Sequence, residues 1–266
     1  MRIGKNVLSM NARQSLYENE KRMNVAMEHL ATGKKLNHAS DNPTNVAIVT
    51  RIHARASGMR VAIRNNEDAI SMLRTAEAAL QTVMNILQRM RDLAVQSANG
   101  TSLNKNRDSL NKEFQSLTEQ IGYIDETTEF NDLSVFDGQS RPITLDDIGH
   151  KIDIAQHTPS SPTKHDIKIS TEQEARAAIR KIEEALQNVS LHRADLGSMI
   201  NRLQFNIENL NSQSIALTDA ASRIEDADMA QEMSDFLKFK LLTEVALSMV
   251  SQANQIPQMV SKLLQS

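Results

Sequence analysis

The stretch IRKIEEALQNVSLHRADLGSMINRLQFNIENL, residues 179–210, decides the fold. Its apolar positions Ile179, Ile182, Leu186, Val189, Leu196, Ile200, Leu203, Ile207 and Leu210 alternate at three and four residues, with Arg193 as the break. That spacing turns one narrow helical face toward a partner helix, as in coiled-coil packing. Residues 172–220 contain no Pro and only Gly197, so the spacing predicts one helix of about 70 Å at 1.5 Å per residue. A globule of 266 residues has a radius of gyration of roughly 18 Å. A rod fits such a helix better.

Two more segments can fill the other side of that seam. From Asn45 to Ser97 the chain has no Pro and only Gly58, and Leu73, Ala76, Leu80, Val83, Leu87, Met90 and Ala94 repeat the same alternation. Gly100-Thr101 is read as its end. A further helix is predicted over roughly 104–127, with Leu103, Leu110, Phe114, Leu117, Ile121 and Ile124 in its seam. The short connection makes the two an antiparallel hairpin. Residues 130–170 change character: Gly138, Pro142, Gly149, Pro159 and Pro162 separate the alternating runs ITL, KIDIA and DIKIS. These predict one or two small β-hairpins, followed by a flexible loop that includes Ser160, Ser161 and Thr163.

The ends read differently. Residues 1–32 predict a helix with Ile3, Val7 and Met10 leading a stripe of Leu16, Met23, Met27 and Leu30, stopped at Thr32-Gly33. The polar link KKLNHASDNPTN follows, and its Pro43 and Asn residues preclude continuous helix. At the other end Phe236, Leu237, Phe239, Leu241, Leu242, Val245, Leu247, Met249 and Val250 point around the whole helical circumference at about 100° per residue. Such a helix needs burial on every side, and chain ends are usually the loosest part of a protein. Other copies of the chain are the natural cover.

The fold class is therefore mainly α: a long antiparallel helical-bundle rod with one or two small β-hairpins, plus paired N- and C-terminal helices. The expected domains are 1–44 (N-terminal helix and spoke), 45–225 (bundle with a short β-rich segment near 130–170) and 226–266 (C-terminal helix).

Composition narrows the function. No cysteine is present, which excludes disulfides, thiolate metal sites and cysteine nucleophiles. The start MRIGKNVLSM has no apolar core of signal-peptide length, and no run of 18 apolar residues occurs. Residues 1–64 carry eleven Lys/Arg against four Asp/Glu, whereas 219–235 carry six acids and Arg223 alone. A basic arm suits nucleic acid, but aromatic residues for base stacking are few, at 3%. Basic and acidic ends lying side by side account for the asymmetry better. The seven His form neither HExxH nor a di-iron pattern, and no glycine-rich phosphate loop or GxSxG elbow occurs. Asp146-Asp147 and Glu183-Glu184 are read as solvated acids, and Arg89 and Arg91 as i,i+4 charge support. The expectation is a non-enzyme with no catalytic, metal or cofactor residues.

Several long segments carry a family resemblance. MRI at residues 1–3, HLATGKKLNHASDN at 29–42, ISMLRTAEAALQTVMNILQRMRDLAVQSANGT at 70–101, TEFNDLSVFDG at 128–138, SRIEDADMAQEMSDF at 222–236 and SQANQIPQMVSKLL at 251–264 together resemble bacterial flagellin, over nearly the whole chain except about 139–170. The resemblance implies a subunit that self-assembles into the flagellar filament for motility. Ile3, Val7, Leu16, Met23, Phe236, Leu237, Leu241, Leu242, Val245 and Met249 would pack in the filament core. It also implies export through the flagellar type III apparatus without a cleaved signal, and an extracellular location. Implied partners are other flagellin subunits, a secretion chaperone, and the filament cap and hook-associated proteins. No nucleic acid or membrane insertion is expected.

LQRMRDLAVQ is similar to the segment that the host Toll-like receptor for flagellin recognises, which implies contact roles for Arg89, Leu93 and Glu113, or inter-subunit roles for the same surface. One departure is Pro43-Thr44-Asn45, where the family commonly reads AAG within ASDDAAGLAI. That Pro resembles the hook–filament junction protein, the nearest alternative. A secreted effector or membrane-interacting translocator is the alternative of a different class.

Overall fold

The computed structural model describes residues 6–101, 103–154 and 167–265, with side chains in the last helix as far as Gln255. The described residues form five helices: α1 (Val7–Thr32), α2 (Pro43–Ser97), α3 (Asn104–Thr127), α4 (Glu172–Glu225) and α5 (Met229–Gln265). Between α3 and α4 lie β1 (Glu129–Phe130), β2 (Leu133–Ser134), β3 (Arg141–Thr144) and β4 (Lys151–Ile154). The chain divides into two compact units, one of residues 1–54 with 216–266 and one of residues 55–215.

The helix ends follow local chemistry. Gly33 adopts φ 71°, the left-handed value that glycine tolerates best, and its N–H bonds the His29 carbonyl. Pro43 does not continue a helix but starts one: it occupies the first position of α2, where its missing N–H costs nothing. The Asn42 side chain accepts from the Asn45 N–H at 3.0 Å. Thr171 and Glu174 bond each other's backbone N–H at 3.3 and 3.0 Å, a reciprocal cap on α4. Asp228 caps α5 by accepting from the Ala230 and Gln231 N–H groups.

In the unit of residues 55–215 the α2 seam is buried along its length, with Leu87, Met90 and Ala94 at 0% exposure. Phe114 and Ile121 of α3 and Ile182, Val189 and Leu203 of α4 complete the core. The interrupted position is also explained. The Arg193 guanidinium spans to α2, donating from Nε and Nη2 to Glu77 Oε1 at 3.2 and 2.6 Å. Leu103 departs from its expected seam place: it stands before the first turn of α3 and is 71% exposed. The helix α2 ends at Ser97, short of Gly100-Thr101, and the buried Ser97 hydroxyl donates to the Ile169 carbonyl.

Among the described residues there are two hairpins. β1 and β2 close through Asn131 and Asp132, both at positive φ (52° and 60°). Such values match a two-residue hairpin turn to the strand twist. β3 and β4 pair Arg141 with Ile154 through Thr144 with Lys151, and Ile152 and Ile154 are buried. The run DIKIS, by contrast, is not a strand over its described residues 167–170. Its alternation is real, with Ile167 and Ile169 buried about Lys168. Its backbone, however, is satisfied by side chains: Asn111 accepts from the Ile169 N–H, and Gln115 donates to the Ile167 carbonyl. Ser160, Ser161 and Thr163 lie outside the described residues.

In the other unit α1 and α5 run antiparallel. Ser9 meets Asn254, Arg22 lies over Phe239, and His29 meets Glu232. Residues 33–35 pair with 225–227: the Lys35 N–H donates to the Glu225 carbonyl and the Ala227 N–H to the Gly33 carbonyl. Lys34 and His53 both reach Glu225 Oε1 at 3.3 and 3.2 Å. Basic and acidic end segments thus lie side by side.

Candidate assembly surface

The α1–α5 contact is made by small residues. Ser9 and Ala26 on α1 and Ala246 and Ala253 on α5 are the buried ones among the described side chains of the two helices. Asn6 fastens the end of the pair, accepting from the Ser9 N–H and donating to the Ala253 carbonyl at 2.7 Å. Small residues let the two backbones approach closely and leave the larger apolar side chains outside.

Those larger side chains are the candidate site. Val7 is 59% exposed, Leu237 51%, Leu241 63%, Val245 59% and Met249 59%, and Leu242 is exposed as well. Leu16, Met23 and Phe236 are half-buried along the helix pair. Ile3 lies outside the described residues. Leu8, Met10, Met27, Met229, Met233 and Leu247, outside the expected set or expected only as interior stripe, are exposed too. Met27 in particular faces solvent because the neighbouring Ala26 takes the inward position. Burying the remaining half of each such Leu, Val or Met side chain is worth about 1 kcal/mol. Exposed large apolar side chains concentrated on two paired helices make this pair the candidate interaction surface. No described helix is long and apolar enough to cross a membrane, and no described cluster of His, Asp or Glu is placed to hold a metal.

Arg89 and Glu113 come together on an exposed face of the second unit. Nε and Nη2 of Arg89 donate to Glu113 Oε1 at 2.9 and 2.6 Å. Leu93 does not join them: it is 1% exposed and packs inside the core, since it falls on the α2 side that carries the seam. Arg89 and Arg91 bridge helices rather than supporting their own, because Arg91 reaches Glu183 of α4 at 3.1 Å.

The two adjacent acids are not merely solvated. Asp146 accepts from the Ile148, Gly149 and His150 N–H groups and from the His150 ring, holding the β3–β4 turn closed. The His150 ring hydrogen bond is the main reason its carboxyl is pushed down to about 2, and the same contact raises His150. Asp147 pairs with Arg55 at 3.0 Å and packs against Gly58, where an added Cβ would lie 2.9 Å from the Asp147 Cβ. Gly58 inside a helix was the available sequence signal for this close approach.

Comparison with known proteins gives a consistent result. The family description "Bacterial flagellin N-terminal helical region" matches residues 3–141, and "Bacterial flagellin C-terminal helical region" matches residues 179–264. The flagellin of Halalkalibacterium halodurans is 39% identical, with 99% of this chain and 100% of that protein covered. The flagellin of Listeria monocytogenes is 35% identical with both chains covered in full. Among solved structures, Bacillus cereus flagellin is 37% identical at a TM-score of 0.52, covering 59% of this chain and 94% of that one. A hook-associated protein structure from Vibrio parahaemolyticus shares the fold at a TM-score of 0.61 and 16% identity, covering 70% of this chain and 100% of that one.

Proposed function

The chain belongs to the bacterial flagellin family and is a structural subunit of the flagellar filament; from that premise we propose that α1 and α5 are the surfaces through which its copies join in the filament core. The observation that carries this reading is the outward apolar surface of the helix pair, with Leu237, Leu241, Val245 and Met249 about half exposed or more. Within a single copy the fully buried positions of the pair are small residues, and these large side chains are left in water. Several copies packed by their α1–α5 pairs cover them, and the summed burial offsets the cost of ordering the ends.

Ile3, Val7, Leu16, Met23, Phe236 and Leu242 complete the proposed core set. We propose the division 1–44, 45–225 and 226–266 as the assembly anatomy, with the first and last segments in the filament core. Export through the flagellar type III apparatus, handling by a secretion chaperone, and polymerisation beneath a cap protein next to hook-associated proteins belong to the same proposal. The motif order and full-length similarity to flagellins support it. They also favour a filament subunit over a hook–filament junction protein, and Pro43, the residue that suggested the junction protein, has a local role at the start of α2.

Removal of residues 236–266 tests the reading. The shortened chain should stay helical by far-UV circular dichroism and form no filaments by electron microscopy under salting-out conditions. Filaments from it would sink the assignment.

The exposed Arg89–Glu113 pair supports a contact role for these two residues, either toward the host Toll-like receptor or toward a neighbouring subunit. Leu93 would act from beneath, by fixing the helix that presents Arg89. A receptor reporter response to monomer that is unchanged by Arg89→Ala would remove the receptor reading.

A further inference from the structure

Methionine is abundant, with 13 in the chain, and its exposure divides sharply. Met10, Met27, Met229, Met233 and Met249 are 47–62% exposed, and all five lie on α1 and α5. In the unit of residues 55–215 Met59, Met72 and Met90 are at most 6% exposed, and Met84 and Met199 are half-buried, as is Met23 of α1. Met1 and Met259 lie outside the described side chains.

We propose that these five methionines are a reversible oxidation site that controls polymerisation, peroxide blocking the assembly surface of the free subunit. This rests on the α1–α5 assembly reading above. The thioether sulfur attacks one oxygen of hydrogen peroxide: an S–O bond forms, the O–O bond breaks, sulfur loses two electrons and the other oxygen leaves as water. Methionine sulfoxide is a polar hydrogen-bond acceptor where an apolar, flexible side chain stood. The large apolar side chains exposed on the same helices, Leu237, Leu241, Val245 and Leu247 among them, donate nothing. One buried polar group without a partner costs on the order of tenfold in an association constant. Assembly sets the direction of the switch, since packing that buries the five sulfurs also shields them. Free subunits are sensitive and filament subunits are protected.

The test treats free full-length protein and preformed filaments with hydrogen peroxide, mapping sulfoxide by peptide mass spectrometry and measuring the critical concentration for polymerisation by sedimentation. The free protein should oxidise at the five positions roughly tenfold faster than at Met59, Met72 and Met90, with its helical circular dichroism unchanged. Its critical concentration should rise about tenfold or more. Methionine sulfoxide reductases A and B together should restore it, and the five sulfurs should be protected in filaments. A variant carrying Met10→Leu, Met27→Leu, Met229→Leu, Met233→Leu and Met249→Leu should show one critical concentration, whatever its value, with and without peroxide. If that variant does not polymerise, reductase rescue of the native chain decides.

Unchanged polymerisation of the fully oxidised chain, or equal oxidation of exposed and core methionines, overturns the proposal. The 236–266 deletion separates the two failures. Filaments from the deleted chain overturn the assembly reading. If the deletion abolishes filaments while the oxidised full chain assembles normally, the oxidation proposal alone fails.

Discussion

Two glycines inside long helices should respond differently to the same substitution. Gly58 lies in α2 and Gly197 in α4. On helix propensity alone, Gly→Ala at either position should stabilise by about 0.8–1 kcal/mol. Nothing lies within 4 Å of a Cβ added at Gly197, so Gly197→Ala should realise that gain. At Gly58 the new Cβ would stand 2.9 Å from the Asp147 Cβ and 3.6 Å from its Cα. The crowded atoms sit at the root of the Asp147 side chain, so the β3–β4 turn must move as a body. Overpacking of that kind costs about 1–3 kcal/mol. Displacing Asp147 also weakens its exposed pairing with Arg55, worth at most about 1 kcal/mol. Gly58→Ala should therefore be neutral to destabilising by about 3 kcal/mol. The assay is thermal and urea unfolding of the unpolymerised monomer, where about 1 kcal/mol moves Tm by roughly 2–4 °C for a unit of this size. A Gly58→Ala protein as stabilised as Gly197→Ala would refute the close approach of the turn to α2.

Leu87→Ala should cost about 2–5 kcal/mol in the same melts, since Leu87 is fully enclosed in the bundle core. Arg193→Leu alone leaves Glu77 without its partner and should destabilise, whereas Arg193→Leu with Glu77→Leu should match or exceed the native chain in urea; two equal losses would contradict this. The Asp146–His150 contact has a worked sign. Asp146 is depressed to about 2, so its contribution is full above the ordinary carboxylate range near 3.9 and is lost as pH falls through about 2. His150 is raised, so its contribution is full below the ordinary imidazole value near 6.5 and is lost as pH rises through its folded value. The turn is held best between about pH 4 and 6.5. An NMR titration should show His150 above the ordinary value in the native chain and closer to it in Asp146→Asn.

Much of this fold was legible because long seams are redundant. The α2 and α4 patterns each repeat over several turns, so no single residue decides them, and even Arg193 signals its place by interrupting one. The cap residues Gly33 and Pro43 were equally direct, each acting on its own backbone. What escaped the sequence was mostly a matter of partners across the chain. DIKIS has strand alternation, yet Asn111 and Gln115 supply the bonds a neighbouring strand would have made. Asp146 and Asp147 look alike as adjacent acids, but one closes its own turn and the other reaches Arg55, 92 positions away. Leu93 was placed by family position rather than by the α2 seam, and the seam decided its side. On α1 the stripe of large apolar residues reads as the inward face. Alanines take that role, and the large residues are what the single chain leaves uncovered.

The absence of cysteine makes a direct measurement of that uncovered surface possible. A single Leu241→Cys replacement puts the chain's one thiol at a position that is 63% exposed in the subunit. Labelling with a maleimide should be fast in the free monomer and strongly suppressed once the protein has polymerised. Equal labelling of monomer and filament would contradict the claim that α5 is buried between copies.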